Sequence, residues 1–388
     1  LQLPIMYEIV YVNFHLLGLV IYYNCIKHPS WRRILFTIPS LFILIGYVIF
    51  LTFFRLLDDV LFWDYRKVKI LKPLFIISNP RSGTTYLHRL LTLDEDRYTY
   101  PLLYHTLLPS VVLLKLMQVF SRVDQKMGGP FKRLFGKLDE FVFSGWKDIH
   151  PIGLNMAEED EGYFTFMMLT PALVLLSPFI SKDRILEILD HADSSVKEKV
   201  KAYYLSTIKR FYYAEGMNKT LLNKNVFSSG RLGILLEIFP DAQIIYPVRN
   251  PFEAIPSGVS MFTVSWKVHS PEIPMNSEYA KQFGHLLMYN YAHFFEAQKK
   301  IDGKRLISFS YETLIDHPVE TVMKIYAQFE IEFTPAYAES LAKSVSSARS
   351  YKSRHQYTLE QFGLDHAFIY QNLEELFVLY GFKKVETN

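Results

Sequence analysis

The sequence predicts an α/β fold, three layers built on a central parallel sheet and preceded by hydrophobic helices at the N-terminus. Three observations carry this. Short β-rich apolar runs alternate with helical stretches, which is the pattern of a parallel sheet covered on both faces. One of these runs leads directly into a glycine-containing turn and a helix. Charge is nearly missing from residues 1–54, where only Glu8, Lys27, Arg32 and Arg33 are ionisable to full charge, in a chain of 388 residues with 42 basic and 39 acidic side chains.

The N-terminal piece comes first. Ile34 to Phe54 carries no charge over 21 residues, close to the roughly 20 needed to cross a bilayer. Arg32 and Arg33 flank it on one side, with Lys27 and His28 just before, and Arg55, Asp58 and Asp59 follow. The basic flank favours a cytoplasmic N-terminal side. Ile9 to Ile26 is greasy but interrupted by Asn13, His15 and Asn24, and reads as a second span, a hairpin partner or an interfacial helix. Pro39 inside the longer run leaves room for a buried hairpin of a soluble protein. No small-residue cleavage site follows the run, which argues against a cleaved signal peptide. The expected organisation is a membrane anchor of one or two helices over 1–54, a juxtamembrane connector over 55–72, and an α/β domain over 73–388.

The sheet elements follow. Leu74 to Ser78 is a short apolar run bounded by Pro73 and by Asn79-Pro80, as in a buried strand. A turn, Arg81-Ser82-Gly83-Thr84-Thr85, leads into a stretch with Leu87, Leu90 and Leu91 at helical spacing. Residues 102–120 are apolar and helical in tendency. Residues 121–148 form a basic and aromatic excursion around Gly128-Gly129-Pro130. Phe164 to Ile180 is uncharged but short for a span, and reads as a core or membrane-resting helical pair. Residues 182–215 read as a charged amphipathic helix region. Ile244 to Val248 is a second strand and Leu306 to Phe309 a third, with a helix from about Pro318 to Phe329 after it.

Composition excludes several classes. Half of the residues are hydrophobic and 21% are charged, so the chain is neither disordered nor a coiled-coil rod. The net charge of +3 is too balanced to argue for nucleic-acid binding. Cys25 is the single cysteine, which excludes an intrachain disulfide and cysteine-based metal sites.

Chemistry concentrates at two places. The first is the turn after the first strand. Gly83 lets the backbone approach an anion, the amides opening the helix lack internal partners, and Thr84 and Thr85 add hydroxyls, so the loop is P-loop-like and fit for a phosphate. It lacks the lysine of G-x-x-x-x-G-K-[ST], which points away from a nucleotide kinase. The second is Arg249 at a strand end with Ser257 about two helical turns on, where a guanidinium fork and a hydroxyl can clamp another phosphate.

Together these resemble the sulfotransferase superfamily, which uses 3′-phosphoadenosine 5′-phosphosulfate. The segments Asp58…Phe62…Tyr65-Arg66, Phe75-Ile76-Ile77 with the Arg81 loop, and Leu235…Phe239-Pro240-Asp241-Ala242 are similar to its broad bacterial and protist branch. So are Val248-Arg249-Asn250-Pro251, Tyr311-Glu312-Thr313-Leu314 and the run from His355 to Leu364. The resemblance implies that Arg81, Ser82, Gly83, Thr84 and Thr85 hold the 5′-phosphosulfate, that Arg249 and Ser257 hold the 3′-phosphate, and that Arg354 and His355 close over the nucleotide. It favours His150 as general base with Glu159 nearby; the acidic run from Glu158 to Glu161 also fits a helix N-terminus, and His105 is a weaker third choice. Around Asn223-Lys224 the expected pattern Lys-Ser-Pro-x-His-x-x-Arg is matched at Lys224 and Arg231 only, with Val226 and Ser228 replacing Pro and His. Lys224 then faces the donor, and Ser228 puts acceptor chemistry in question.

The implied reaction is an in-line sulfuryl transfer to a hydroxyl or amine with no metal, with Arg81 and the loop amides neutralising charge on the transferred group. The acceptor is a small molecule, a glycan or a lipid, and the bilayer and membrane-complex proteins are the implied partners. A Golgi type II protein, or one of another organellar membrane, fits the membrane segment, and the sequon at Asn218-Lys219-Thr220 permits a luminal site. The alternative is a catalytically altered sulfotransferase-like subunit with a structural role in a membrane complex.

Overall fold

The structure, a computed structural model, describes residues 6–134, 136, 153–182, 188–348 and 357–383. Its centre is a five-stranded, all-parallel sheet. The strands are β1 Leu74–Ile77, β2 Tyr98–Thr99, β3 Thr220–Asn225, β4 Gln243–Val248 and β5 Leu306–Ser310, in the order β2-β3-β1-β4-β5. β1 lies between β3 and β4, with Phe75 beside both Asn223 and Ile244. From β1 the chain passes to the edge strand β2, returns with β3 beside β1, and then crosses to the other side for β4 and β5, so a topological switch point falls between the C-terminal ends of β1 and β4, where open parallel sheets bind ligands.

Side chains alternate across the sheet and feed two cores. Phe75, Ile77, Leu221, Ile244 and Tyr246 face one layer. Leu74, Ile76, Leu222 and Ile245 face the other. That is why β1 reads as an unbroken apolar run: both of its faces are covered. Helices Thr84–Leu91 and Pro318–Gln328 cover the second face, and Ser194–Glu215 and Glu278–Ala297 cover the first.

The three-layer α/β expectation and its three strands are present. Two strands, β2 and β3, went unread. The stretch 164–180 is not a helical pair. Pro171 and Pro178 open separate short 3₁₀ turns, Pro171–Leu175 and Pro178–Lys182, because proline cannot donate inside a helix. Leu173, Val174 and Ile180 are core residues.

Upstream, α1 spans Phe14–Ile21 and is capped by Asn13, whose side chain accepts from Leu16 N at 3.0 Å. α2 spans Trp31–Leu61 and is capped by Ser30, whose hydroxyl accepts from Arg33 N. α2 runs on through residues 55–61, the part that the sequence groups with a connector. There it enters a buried ionic knot. Asp58 accepts from the Ser110 hydroxyl at 2.8 Å and from the amides of Val111 and Val112 at 3.0 and 2.8 Å, which caps α4 (Val111–Lys126) from another helix. Arg210, from α5 (Ser194–Glu215), donates to Asp58 at 3.0 Å and to Asp59 at 2.9 Å.

Candidate functional site

The site is built on the loop between β1 and α3, the helix Thr84–Leu91. Two residues of this loop have left-handed backbone, Gly83 at φ 81° and Arg81 at φ 70°. Glycine takes that conformation freely; an arginine there is strained, and such strain concentrates where backbone amides are aimed at a ligand. Gly83 is required twice over, since a Cβ would fall 2.9 Å from the Tyr311 ring.

Arg249 follows β4 directly and begins the turn into α6 (Pro251–Phe262), which Asn250 caps by accepting from Phe252 N at 3.0 Å. Its guanidinium donates to the Arg81 carbonyl at 3.1 Å and to Glu253 at 2.8 and 3.1 Å. It also stacks 4.8 Å above the Tyr311 ring. Ser257 accepts from Arg81 Nε at 3.2 Å. The two expected phosphate constellations therefore meet, although 176 residues separate Arg81 from Ser257.

β3 supplies the third cation. Lys224 pairs beside Ile76 of β1 and is buried. Its Nζ lies 3.1 Å from Thr85 Oγ1 and 2.9 Å from Glu159 Oε1. It thus bridges the Arg81 loop and a partly exposed carboxylate.

The acids beyond Glu159 divide sharply from it. Asp160 is buried and accepts from Tyr204, Asn223 and Asn225. Glu161 accepts from Asn225 at 2.7 Å and pairs with Arg231 at 2.5 Å. Burial raises both carboxyls, Glu161 to about 7 against the pull of Arg231. A short helix, Glu161–Phe166, does start here, but its capping position makes no side-chain cap bond, because the acids turn toward β3.

Under the loop, His88 is buried in α3, edge-on to Tyr100. Burial, and then the charge of Lys224, push it down to about 3, so it stays neutral. His105 is also structural: its Nδ1 accepts from Leu102 N at 2.9 Å and caps its own short helix. Ser228 is buried in a 3₁₀ turn with Arg231. His150, Arg354 and His355 lie outside the described residues. The sequence analysis assigned no site role to Tyr311, Asn223, Asn225, Tyr204 or His88. The signal for the asparagines was available: Leu221, Asn223 and Asn225 alternate along an extended run, with the polar members at the strand's C-terminal end.

Comparison with known proteins fits this geometry. The sequence model described as "Sulfotransferase family" matches residues 175–335. Omega-hydroxy-beta-dihydromenaquinone-9 sulfotransferase Stf3, from Mycobacterium bovis and from Mycobacterium tuberculosis, is 25% identical over 317 residues, covering 80% of this chain and 76% of the relative. Among solved structures, sulfotransferase STF9 from Mycobacterium avium superposes with a TM-score of 0.66 at 16% identity, over 96% of this chain and 98% of that one. STF1 from Mycobacterium tuberculosis H37Rv gives 0.62 at 17%, over 95% and 100%. These two share the fold. All four are mycobacterial, so the Golgi setting expected from the sequence gains no support from them.

Proposed function

We propose that the donor of this sulfotransferase is 3′-phosphoadenosine 5′-phosphosulfate and its acceptor the hydroxyl of an apolar, lipid-soluble molecule. The observation that carries the donor assignment is the meeting of Arg81, Ser257 and Arg249 at the switch point, over a loop strained at Arg81. The loop amides, Thr84 and Thr85 take the phosphosulfate, and Arg249 with Ser257 takes the 3′-phosphate. The acceptor class is supported by the relative whose name specifies a dihydromenaquinone acceptor.

In the proposed reaction the acceptor oxygen bonds to sulfur while the bond from sulfur to the donor's phosphate oxygen breaks. The acceptor proton passes to Glu159, and 3′-phosphoadenosine 5′-phosphate leaves. Lys224 connects the two halves. Its ion pair with Glu159 holds the carboxylate in place, and its reach to Thr85 puts its ammonium beside the group that takes up negative charge on the leaving side. His150 is the competing base.

Calorimetric titration with 3′-phosphoadenosine 5′-phosphate tests the donor: micromolar binding is expected, and no binding overturns the assignment. Glu159→Gln should lower turnover by about 10²–10⁴-fold. An equal loss in His150→Ala with little effect in Glu159→Gln would transfer the role to His150. No observation favours the purely structural alternative.

A further inference from the structure

The helix α2 is the one helix among the described residues long and apolar enough to cross a membrane, yet its contacts describe a different placement. At about 100° per residue, Arg33, Thr37, Leu51, Arg55 and Asp58 fall on one face, and all five are buried. That face is tied to the catalytic domain along its whole length. Near its start Arg33 binds Ser270 and Glu272, and Thr37 accepts from Asn24, which also donates to the Leu176 carbonyl of the domain. Midway, the Tyr47 hydroxyl donates to the Leu107 carbonyl at 2.9 Å and its ring stacks on Phe166 at 4.1 Å. Near its end Arg55 donates to Thr207 at 2.8 Å and to the Pro109 carbonyl at 3.2 Å. A helix crossing a bilayer would carry this seam, and the domain surface behind it, into hydrocarbon.

The opposite face is exposed and apolar. Leu35, Phe42, Ile49, Phe53, Leu56 and Val60 repeat at helical spacing half a turn from the buried face, with Phe42 and Val60 69% and 75% exposed. α4, which packs against α2, adds exposed Leu116, Val119 and Phe120. The ends of this stripe say what covers it. At each end an exposed tryptophan carries a cation over its ring: Arg32 over Trp31 at 5.2 Å, and Lys67 over Trp63 at 3.8 Å. Exposed Lys27, Arg122 and Lys126 add to this rim. An uncharged stripe rimmed by tryptophan and basic side chains complements a bilayer surface with anionic headgroups.

We propose that α2 lies in the plane of an anionic membrane surface, sunk to the depth of its outer face, and holds the catalytic domain on the bilayer without crossing it. The ring on which Tyr47 stacks belongs to the short helix that begins beside Glu159, so the docked face adjoins the segment carrying the acceptor-side carboxylate. The placement rests on the two faces of α2 and stands apart from the choice of donor or acceptor.

Spin labels test it on the full chain. Cysteines placed at Leu35, Phe42, Ile49 and Leu56 in a Cys25→Ser background lie on one helical face, one heptad apart. On phosphatidylglycerol–phosphatidylcholine vesicles, accessibility to oxygen and to a water-soluble relaxer should report one shallow depth at all four. A spanning helix would change depth by about 10 Å at each step, and that result overturns the proposal. Labels that stay in water while light scattering shows a dimer overturn it as well, in favour of a second copy on this face. Phe42→Glu with Ile49→Glu should weaken vesicle partitioning about tenfold or more while nucleotide binding by calorimetry is unchanged. Undiminished partitioning in that variant also overturns the proposal.

Discussion

Two sets of cations divide the molecule, and they are held differently. Arg210, behind α2, is fully buried, and each of its guanidinium nitrogens is filled by fixed acceptors: Asp58, Asp59, Glu8, Ser206 and the Arg55 carbonyl. Burial, with Arg55 close by, pushes it down to about 10. Arg249 and Lys224, at the sheet's C-terminal edge, pair with side chains that have other roles or can turn away: the exposed Glu253, and Glu159. A buried cation with saturated partners organises the fold. A cation whose partners can be exchanged is available to a ligand.

The largest effect is expected at Arg210. Arg210→Met takes the buried cation from Asp58, while Asp59 keeps Arg66, and removing one member of a buried pair costs about 3–5 kcal/mol. Urea unfolding should show that loss, with α2 and α5 releasing together. A loss no larger than that of a surface ion pair would mean that the knot is incidental.

Next comes Arg81→Gly. Glycine accepts φ 70° without strain, so its melting temperature should be level with or above that of the parent. Sulfuryl transfer should fall about 10²–10³-fold, the scale for removing one preorganised charge stabiliser. Lowered stability together with lowered activity would make the arginine structural. Arg249→Gln is milder: donor affinity should weaken about 10- to 100-fold, the worth of a charge-assisted hydrogen bond, with turnover at saturating donor nearly kept.

These two regions also differ in how far the chain announces them. β1 and its loop are readable because proline, asparagine and glycine punctuate an apolar run, and local backbone chemistry decides such turns. β3 is not. Thr220-Leu221-Leu222-Asn223-Lys224-Asn225 looks too polar for an inner strand, and becomes one only because Asp160, Glu161, Tyr204 and Glu159 arrive from far along the chain to satisfy it. α2 is the converse. Its length and greasiness stand in the sequence, but its inward face does not, because Arg33 and Arg55 find Glu272 and Thr207 only after folding. A charge that flanks an apolar run looks the same whether it ends in a headgroup layer or in a protein seam.

The smallest effect probes how far the charge of Lys224 reaches. His88 titrates near 6.5 when unfolded and is pushed to about 3 when folded, first by burial and then by Lys224. The folded chain therefore takes up no proton at His88 between these values, while the unfolded chain does. As pH falls below 6.5, His88 removes stability, by about 1 kcal/mol between pH 7 and 5.5. Glu161 has the opposite sign. Its carboxyl, raised to about 7, is protonated in the folded chain before it is in the unfolded one, so its contribution grows over the same fall. The net profile mixes the two, and a substitution separates them. His88→Phe should remove the histidine's share, making the variant's stability relative to the parent higher at pH 5.5 than at pH 7 by about 1 kcal/mol. In a Lys224→Met background His88 titrates closer to its ordinary range, and the same comparison should shrink. An unchanged difference there would show that burial is enough to keep the histidine neutral at pH 5.5.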